Sequence, residues 1–313
     1  MARPGLDHIC FYLLPALLVY PVLSHDGEWN YDPRGPDGPS HWYQKYPQCA
    51  GSFQSPIEIS TDEVVYDPTL AALDLSDYSN TRDVKMRLVY LEGHTVQLIF
   101  SGKPLYLRGG GLSGEYQLDQ LHFHWGSSAA SGSEHLVDWK SYPLELHIVH
   151  HQRKMGNFTV ASSQPYGVAV LGILFKLSKV KNENWDKFLG YLKQVPSPGD
   201  EYDVPTFALK DLIPSSAGKN FYRYIGSLTT PPCTQPVIWS IAANFIELSD
   251  SQLLAVHRFR DQNGALLEDT YRHIQNLEGR RVLTTIRRYP YNRATHTIGQ
   301  PVLLVLGLIL LYG

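Results

Sequence analysis

The chain has 313 residues, 43% of them hydrophobic, which is enough for one large undivided core. Its 27 basic and 30 acidic residues give a formal net charge of -3. The sequence has no basic run and no interleaving of aromatic and basic residues, which are the patterns that would indicate a nucleic-acid partner. We therefore expect a small-molecule partner.

The first segment has the features of a secretory signal peptide. Arg3 precedes an apolar run over residues 9–23, and the small residues that follow fit cleavage after Ser24. We therefore expect residues 1–24 to direct the chain into the secretory pathway and then to be removed.

The region after residue 24 is predicted to be one mainly β (α+β) domain, residues 25–290. Residues 25–50 have little periodicity and are expected to form an irregular N-terminal wrap. Short β-rich runs then alternate with Gly, Pro, Asn and Asp, and they predict strands over residues 85–91, 95–100, 117–125, 144–151, 167–175 and 237–246. The run 167–175 is continuously apolar, which is typical of a central strand covered on both faces.

Helical signals are few and are expected at the edges of the sheet. Trp185, Phe188, Leu189 and Leu192 follow the i, i+3, i+4, i+7 spacing of an amphipathic helix. A capping box at residues 249–252 predicts the start of a helix that continues over residues 253–259. The expected fold is therefore a large, mostly antiparallel, twisted central sheet with short peripheral helices.

The last segment, residues 291–313, reads as a spacer followed by a short hydrophobic tail. Residues 301–313 are almost entirely apolar but fall short of the ~20 residues that a membrane helix needs. Their length fits the signal for a glycosylphosphatidylinositol (GPI) anchor, which would place the protein on the extracellular face of the plasma membrane. Secretion without an anchor, a truncated membrane span and a fortuitous apolar terminus are the alternatives.

Cysteine usage agrees with export. Cys10 lies in the signal segment, which leaves Cys49 and Cys233 able to pair in an oxidising compartment or to remain buried thiols. Asn157 begins an Asn-Phe-Thr glycosylation acceptor motif after a polar turn.

The most specific pattern concerns three histidines. His122 and His124 are two apart on a predicted strand, so both side chains lie on one face. His147 can complete the set if its strand lies alongside. Three imidazoles without a thiolate describe an open catalytic zinc site, whereas the alternative is a set of hydrogen-bonded strand histidines.

Each ligand strand also supplies a group that could orient its histidine. Gln120 precedes His122 by two residues, and Glu145 precedes His147 in the same way. A metal-bound imidazole needs an acceptor for its other ring nitrogen, and both positions can provide one on the same strand face.

Four segments together carry a family resemblance: residues 120–126, 132–135, 145–150 and 226–232. In this order and spacing they resemble the signature segments of the α-class carbonic anhydrases, over about residues 29–287. The likeness is strongest to the secreted and membrane-attached branch. It implies that residues 25–290 form a zinc-dependent catalytic domain, which hydrates carbon dioxide reversibly to bicarbonate and a proton by attack of zinc-bound hydroxide.

The resemblance also implies a role for individual residues. Thr229 would accept the hydrogen bond of the zinc-bound hydroxide and donate one to Glu134. The carbon dioxide site would be walled by apolar side chains, while Thr230 would help to orient bicarbonate; the wall is Val149, Val170, Leu228 and Trp239. Val149 follows His147 by two residues, which independently places it on the same strand face.

A proton must leave the site through a group that titrates near neutral pH, and histidine is suited to this task. His94 matches the proton shuttle of the family. Tyr31, Glu92 and Gln97 would line the water path to it, and Glu92 departs from the Asn that many members have there.

Other departures concern the surroundings of the zinc. Thr270 replaces an Asn whose backbone carbonyl contacts a ligand histidine in the family, so we expect the exchange to be tolerated. The interval between Trp29 and Trp42 is two residues longer than usual. Cys49 and Cys233 match the pair that is bridged in secreted members, and a bridge would brace the loop carrying Thr229.

Two rival functions make different predictions about the sequence. A carbonic-anhydrase-like binding domain without zinc predicts a broken ligand set, but all three histidines are present. A zinc hydrolase on another scaffold would show a carboxylate ligand or a His-Glu-x-x-His helix, and neither occurs.

Bicarbonate transporters are possible partners.

Overall fold

The computed structural model describes residues 29–91 and 93–287. The predicted signal peptide, the predicted C-terminal tail and Glu92 lie outside the described residues, so those three interpretations stay predictions. Within the described residues, no helix combines the length and apolar character that crossing a membrane requires.

The described residues form short strands joined by turns, with four short α-helices. The strands are β1 Glu58–Ile59, β2 Val65–Tyr66, β3 Leu73–Asp74, β4 Val84–Leu91, β5 Thr95–Gly102, β6 Tyr106–Gly109, β7 Tyr116–Trp125, β8 Leu136–Val137, β9 Leu144–Gln152, β10 Val168–Leu177, β11 Glu201–Val204, β12 Phe221–Gly226, β13 Val237–Ala242, β14 Ile246–Leu248 and β15 Leu283–Thr284. The α-helices are α1 Trp42–Lys45, α2 Phe158–Ser162, α3 Glu183–Tyr191 and α4 Asp250–Leu253.

A single 13-stranded sheet dominates the fold. Its main path runs β11-β4-β5-β7-β9-β10-β13-β12-β15-β2, and β3, β6 and β14 attach beside it. Most neighbours are antiparallel, while β10 pairs with β13 and with β14, and β15 pairs with β2, in parallel. The prediction of a mainly β fold around a large, mostly antiparallel sheet is confirmed.

The two faces of the central strands have different surroundings. On β9, Leu146 and Ile148 enter the larger hydrophobic cluster, which also contains Phe123 and the α3 residue Trp185. Val149 points to the opposite face and belongs to a second, smaller cluster. We call the first surface the core face and the second the site face.

Two predicted elements differ from those found. The run 237–246 is not one strand, because the chain bends after β13 and resumes as β14; the amide of Ala243 bonds to Asn220 instead of to the sheet. The capping box before α4 is present, but the helix ends at Leu253. Tighter i→i+3 hydrogen bonds follow, and they carry Val256 to the core.

Candidate metal centre

The three predicted ligand histidines come together because β7 and β9 are antiparallel neighbours. His122 lies directly opposite His147, and His124 lies opposite Glu145, so all four side chains share the site face. One nitrogen from each of the three histidines lies within 4.8 Å of the others.

Hydrogen bonds determine which nitrogen of each ring carries the proton. His124 Nδ1 lies 2.6 Å from the carbonyl oxygen of Thr270, and His147 Nε2 lies 2.8 Å from a carboxylate oxygen of Glu145. Both oxygens can only accept, so these two nitrogens donate. His122 Nδ1 lies 2.8 Å from Gln120 Oε1 and donates in the same way. The remaining nitrogen of each neutral ring therefore presents a lone pair.

Two of these lone-pair nitrogens lie in close contact. His124 Nε2 and His147 Nδ1 are only 3.1 Å apart, and neither has a proton to donate when both rings are neutral. Burial, the largest influence, lowers the pKa of His124 to about 4, and burial also lowers the pKa values of His122 and His147. In a tetrahedral zinc site with Zn–N distances of about 2.0–2.1 Å, neighbouring nitrogens are about 3.3 Å apart. The donor set thus fits Zn²⁺.

Glu134 is the charged group beside these nitrogens. Its Oε1 accepts a hydrogen bond from the backbone amide of Arg272 at 2.9 Å, while Oε2 lies 3.4 Å from His124 Nε2. Oε2 has no hydrogen-bond partner among the described residues, although Thr229 is near enough to lower the pKa of this carboxyl. Burial outweighs that influence and raises the pKa of Glu134 to about 7.

Glu145 is held by four donors. Its Oε1 accepts from His147 and from His135 Nδ1 at 2.6 Å, and its Oε2 accepts from the backbone amides of Glu134 and His135 at 2.9 and 2.8 Å. Burial acts to raise the pKa of Glu145, but the two imidazoles hold it well below its usual range. The cluster of His135, Glu145 and His147 is thus a hydrogen-bond assembly that orients His147.

The same assembly extends to the loop that carries the predicted substrate residues. Since His135 Nδ1 donates to Glu145, its Nε2 accepts from the Tyr224 hydroxyl at 2.7 Å. Tyr224 in turn lies 2.8 Å from Ser55 Oγ, which accepts from the amide of Ser227 at 3.0 Å. All of these side chains are buried, so the network links Glu145, the acceptor of His147, to Ser227, the residue before Leu228.

The predicted apolar wall lies on the site face. Val149, Val170 and Trp239 belong to one hydrophobic cluster, and Leu228 packs against it. Val149 pairs with Val170, which pairs with Trp239 across the next strand. The ring of Trp239 lies 4.8 Å from that of His147, which brings the wall next to the metal-binding nitrogens.

Three of the four predicted proton-exit residues lie within the described part of the chain. The ring of His94 stacks on Trp29, with centroids 3.8 Å apart and an interplanar angle of 14°. Tyr31 meets His94 edge-on and is buried; burial first and the charge of Glu134 second raise its pKa. Gln97 lies directly opposite His122.

A disulfide joins Cys49 to Cys233, as predicted. It lies in a small cluster with Trp29, Tyr31 and Trp42, which shows how the N-terminal wrap packs. The amide of Cys233 bonds to the carbonyl of Thr230 at 2.8 Å, so the bridge is directly connected to the loop of Thr229 and Thr230.

Two further positions are placed by the structure. Asn157 is exposed, and its Oδ1 caps α2 by accepting from the amide of Val160 at 2.9 Å, which leaves its amide nitrogen for a glycan. Thr270 bonds to His124 through its backbone, as the resemblance implied, and its hydroxyl accepts from the amide of Trp125 at 3.0 Å.

No role for His135, Tyr224 or Ser55 follows from the sequence alone. His135 stands next to Glu134 in a recognised motif, and this adjacency was the available signal. Tyr224 and Ser55 could not be found from local pattern, because they are 169 residues apart and meet only through the fold.

Comparison with known proteins identifies the family. A family model described as eukaryotic-type carbonic anhydrase matches residues 37–286. The chain is 34% identical to carbonic anhydrase 12 of Homo sapiens, over 85% of this chain and 75% of that protein. It is 34% identical to carbonic anhydrase 6 of Homo sapiens (89% and 90% covered) and 37% identical to carbonic anhydrase 15 of Mus musculus (80% and 78% covered). The chain therefore belongs to the eukaryotic-type, or α-class, carbonic anhydrase family of enzymes.

Proposed function

We propose that this chain is an active carbonic anhydrase, which binds Zn²⁺ through His122, His124 and His147 and hydrates carbon dioxide reversibly to bicarbonate. The observation that carries the proposal is the convergence of three lone-pair nitrogens, two of them 3.1 Å apart, with each opposite ring nitrogen held by an acceptor. When bound, zinc lowers the pKa of its water to about 7 in this family, which makes a nucleophile available at neutral pH.

Glu134 and Thr229 would set the orientation of the attacking group. A carboxylate can only accept hydrogen bonds, so Thr229 would donate its hydroxyl proton to Glu134 and keep its oxygen lone pairs for the site. The pKa of about 7 for Glu134 applies without a cation. A dication beside Oε2 would favour the ionised carboxylate that this arrangement needs.

Substrate and product differ in polarity, and the lining residues match that difference. Carbon dioxide is apolar, and Val149, Val170 and Trp239 offer a surface without hydrogen-bonding demands apart from the Trp239 indole, which already donates to Ser227. Leu228 would complete this wall. Thr230 would offer a hydroxyl to bicarbonate at the polar edge.

His94 would carry the product proton to bulk solvent, with Tyr31, Gln97 and Glu92 along the water path. Its contact with Trp29 supports this role, because stacking holds the imidazole in one place, and an imidazole can gain and lose a proton near neutral pH. We expect His94→Ala to lower turnover in dilute buffer and concentrated imidazole buffer to restore it. Equal turnover of both proteins in dilute buffer would exclude His94 as the shuttle.

The decisive experiment is stopped-flow carbon dioxide hydration by the zinc-loaded protein and by His122→Ala. We expect the wild type to be active and the variant to lose activity with its zinc. The control is His150→Gln, which changes a buried histidine on the opposite face and should retain activity. An inactive wild type that holds zinc would favour a silent binding domain.

We also propose that the protein is exported and acts outside the cell, attached to the membrane by a lipid anchor added near residues 291–300. The Cys49–Cys233 disulfide supports an oxidising compartment, and the exposed Asn157 can accept a glycan. Release of the protein from membranes by a phosphatidylinositol-specific lipase tests the anchor. Secretion into the medium without lipase would contradict it.

A further inference from the structure

A β-bulge in β7 changes the alternation of side chains just before the metal ligands. Leu118 and Leu121 both enter the core face although they are three residues apart. The register between β7 and β9 shifts between Leu118 and Gln120, so two consecutive residues, Asp119 and Gln120, fit between them on the site face. One of these two, Gln120, is the residue that orients His122.

The extra residue of the bulge is tied to the neighbouring strand. His151 Nδ1 lies 2.8 and 2.9 Å from the two carboxylate oxygens of Asp119. His151 is four residues beyond His147 on β9, and therefore on the same face. The side chains are 3% and 18% exposed, so water competes little with this charge-assisted hydrogen bond.

Nothing in the proposed mechanism uses this pair, yet burying it has a cost. Burial raises the pKa of Asp119, and the hydrogen bonds and charge of His151 offset part of that effect. A polar pair in this position needs a reason, since an apolar pair would fill the same space without desolvation. The reason lies in the bulge, where the residues have lost part of their ladder hydrogen bonding and their side chains can be aimed in more than one direction.

We propose that Asp119 and His151 form a clamp that positions Gln120, and through Gln120 the metal-binding tautomer of His122. The clamp holds the bulge against β9 two strand positions from the point where Gln120 lies opposite Val149. If the bulge relaxes, Gln120 Oε1 moves away from His122 Nδ1, and the ring is free to rotate or to change tautomer. This inference rests on the proposed zinc centre, and it makes Asp119 and His151 positioning residues.

The test is a double-mutant cycle on the zinc dissociation constant, measured by competition with a chromogenic chelator. Loss of a partner that directly holds a metal ligand typically costs 10–100-fold in metal affinity, and we expect that range for Gln120→Ala. Asp119→Asn and His151→Gln should each weaken zinc binding by about 3–10-fold, less than Gln120→Ala because they act one step further away. The double variant Asp119→Asn/Gln120→Ala should bind zinc no more weakly than Gln120→Ala alone.

A purely structural role predicts a different result. Asp119→Asn would then lower the free energy of unfolding of the zinc-free protein and leave the zinc dissociation constant unchanged, as we expect for the control His150→Gln. That result, or an effect that simply multiplies with that of Gln120→Ala, would overturn the clamp. If Asp119→Asn does not fold, His151→Gln with and without Gln120→Ala completes the same cycle.

The same measurements distinguish failure of the clamp proposal from failure of the proposed function. A wild-type protein that binds no zinc overturns both. A wild type that binds zinc tightly, together with clamp variants of equal affinity, overturns the clamp alone.

Discussion

Strand β9 carries histidines on both of its faces, and the comparison between them shows what makes a buried histidine a metal ligand. On the site face, His147 donates from Nε2 to Glu145 and keeps a lone pair on Nδ1. On the core face, His150 uses both nitrogens, with Nδ1 at 3.1 Å from the carbonyl of Ala169 and Nε2 at 2.5 Å from the Tyr78 hydroxyl. Only the site-face ring has a donor atom left for a metal.

Burial and basicity do not distinguish the histidines of the site face from His150 on the core face. Burial lowers the pKa of His150 to about 3 and that of the proposed ligand His124 to about 4, so both rings are neutral near pH 7. The difference lies in the protein partners. The core face satisfies its histidine completely, whereas the site face supplies one acceptor per ring and leaves three lone pairs converging. The following predictions alter one face at a time, beginning with the largest expected effect.

The first prediction removes the covalent brace of the site face. The Cys49–Cys233 bridge spans 184 residues, and loss of a native disulfide typically costs about 2–5 kcal/mol of stability. We expect Cys49→Ser/Cys233→Ser to lose stability in this range in urea unfolding. Activity should also fall, because Cys233 bonds to Thr230 in the proposed substrate loop. Full activity of the folded double variant would contradict the link between bridge and loop.

The second prediction weakens the partner of a ligand. Glu145→Gln removes the charge that accepts from both His147 and His135. We expect zinc affinity to fall about 10–100-fold, which is about 1.4–2.8 kcal/mol. Chelator competition measures the change, with His150→Gln as the core-face control. Equal losses of zinc affinity in Glu145→Gln and His150→Gln would contradict the proposed difference between the two faces.

The third prediction concerns the core face and pH. The pKa of His150 is lower in the folded protein than in the unfolded chain, so as the pH falls the unfolded chain is protonated at His150 before the folded protein is. The contribution of neutral His150 to stability is therefore complete above about pH 6.5 and declines as the pH falls towards 3. Between pH 7.5 and pH 5 this group should cost about 2 kcal/mol of stability. Urea unfolding of zinc-free protein should show that His150→Gln loses about 2 kcal/mol less over this interval than wild type. Equal losses of stability in His150→Gln and in the wild type would exclude His150 as an acid-sensitive group.

The smallest effect is expected at Thr270. His124 bonds to its backbone carbonyl, so Thr270→Ala keeps that contact. It loses the hydrogen bond from the amide of Trp125 to its hydroxyl and the longer one, 3.4 Å, from its hydroxyl to the carbonyl of Trp125. We expect a loss of about 1 kcal/mol in the free energy of unfolding and unchanged zinc affinity. A large loss of zinc affinity would show that the side chain, not the backbone, positions His124.

The parts of the site that follow from strand periodicity could be predicted from the sequence. His122 and His124 share a face because they are two apart, and Gln120 and Glu145 precede their histidines by the same interval. The sheet, its central strands and the pairing of Cys49 with Cys233 were also anticipated, the last by resemblance to secreted members.

The parts that depend on register or on distant contacts could not be predicted. Strict alternation would place Asp119 and Gln120 on opposite faces, and only the bulge puts both on the site face. The partner of His135 comes from β12, 89 residues away. The run 237–246 gave only a weak signal for the bend that separates β13 from β14, because Asn244 is the one polar residue at the bend and apolar residues flank it.

The central claim is that only site-face histidines hold a metal, and the zinc content of purified, dialysed protein tests it most directly. We expect one zinc ion per chain in the wild type and in His150→Gln, and none in His147→Ala, measured by mass spectrometry of the metal. Zinc retained at full stoichiometry in His147→Ala, or absent from the wild type after incubation with zinc, would contradict the account.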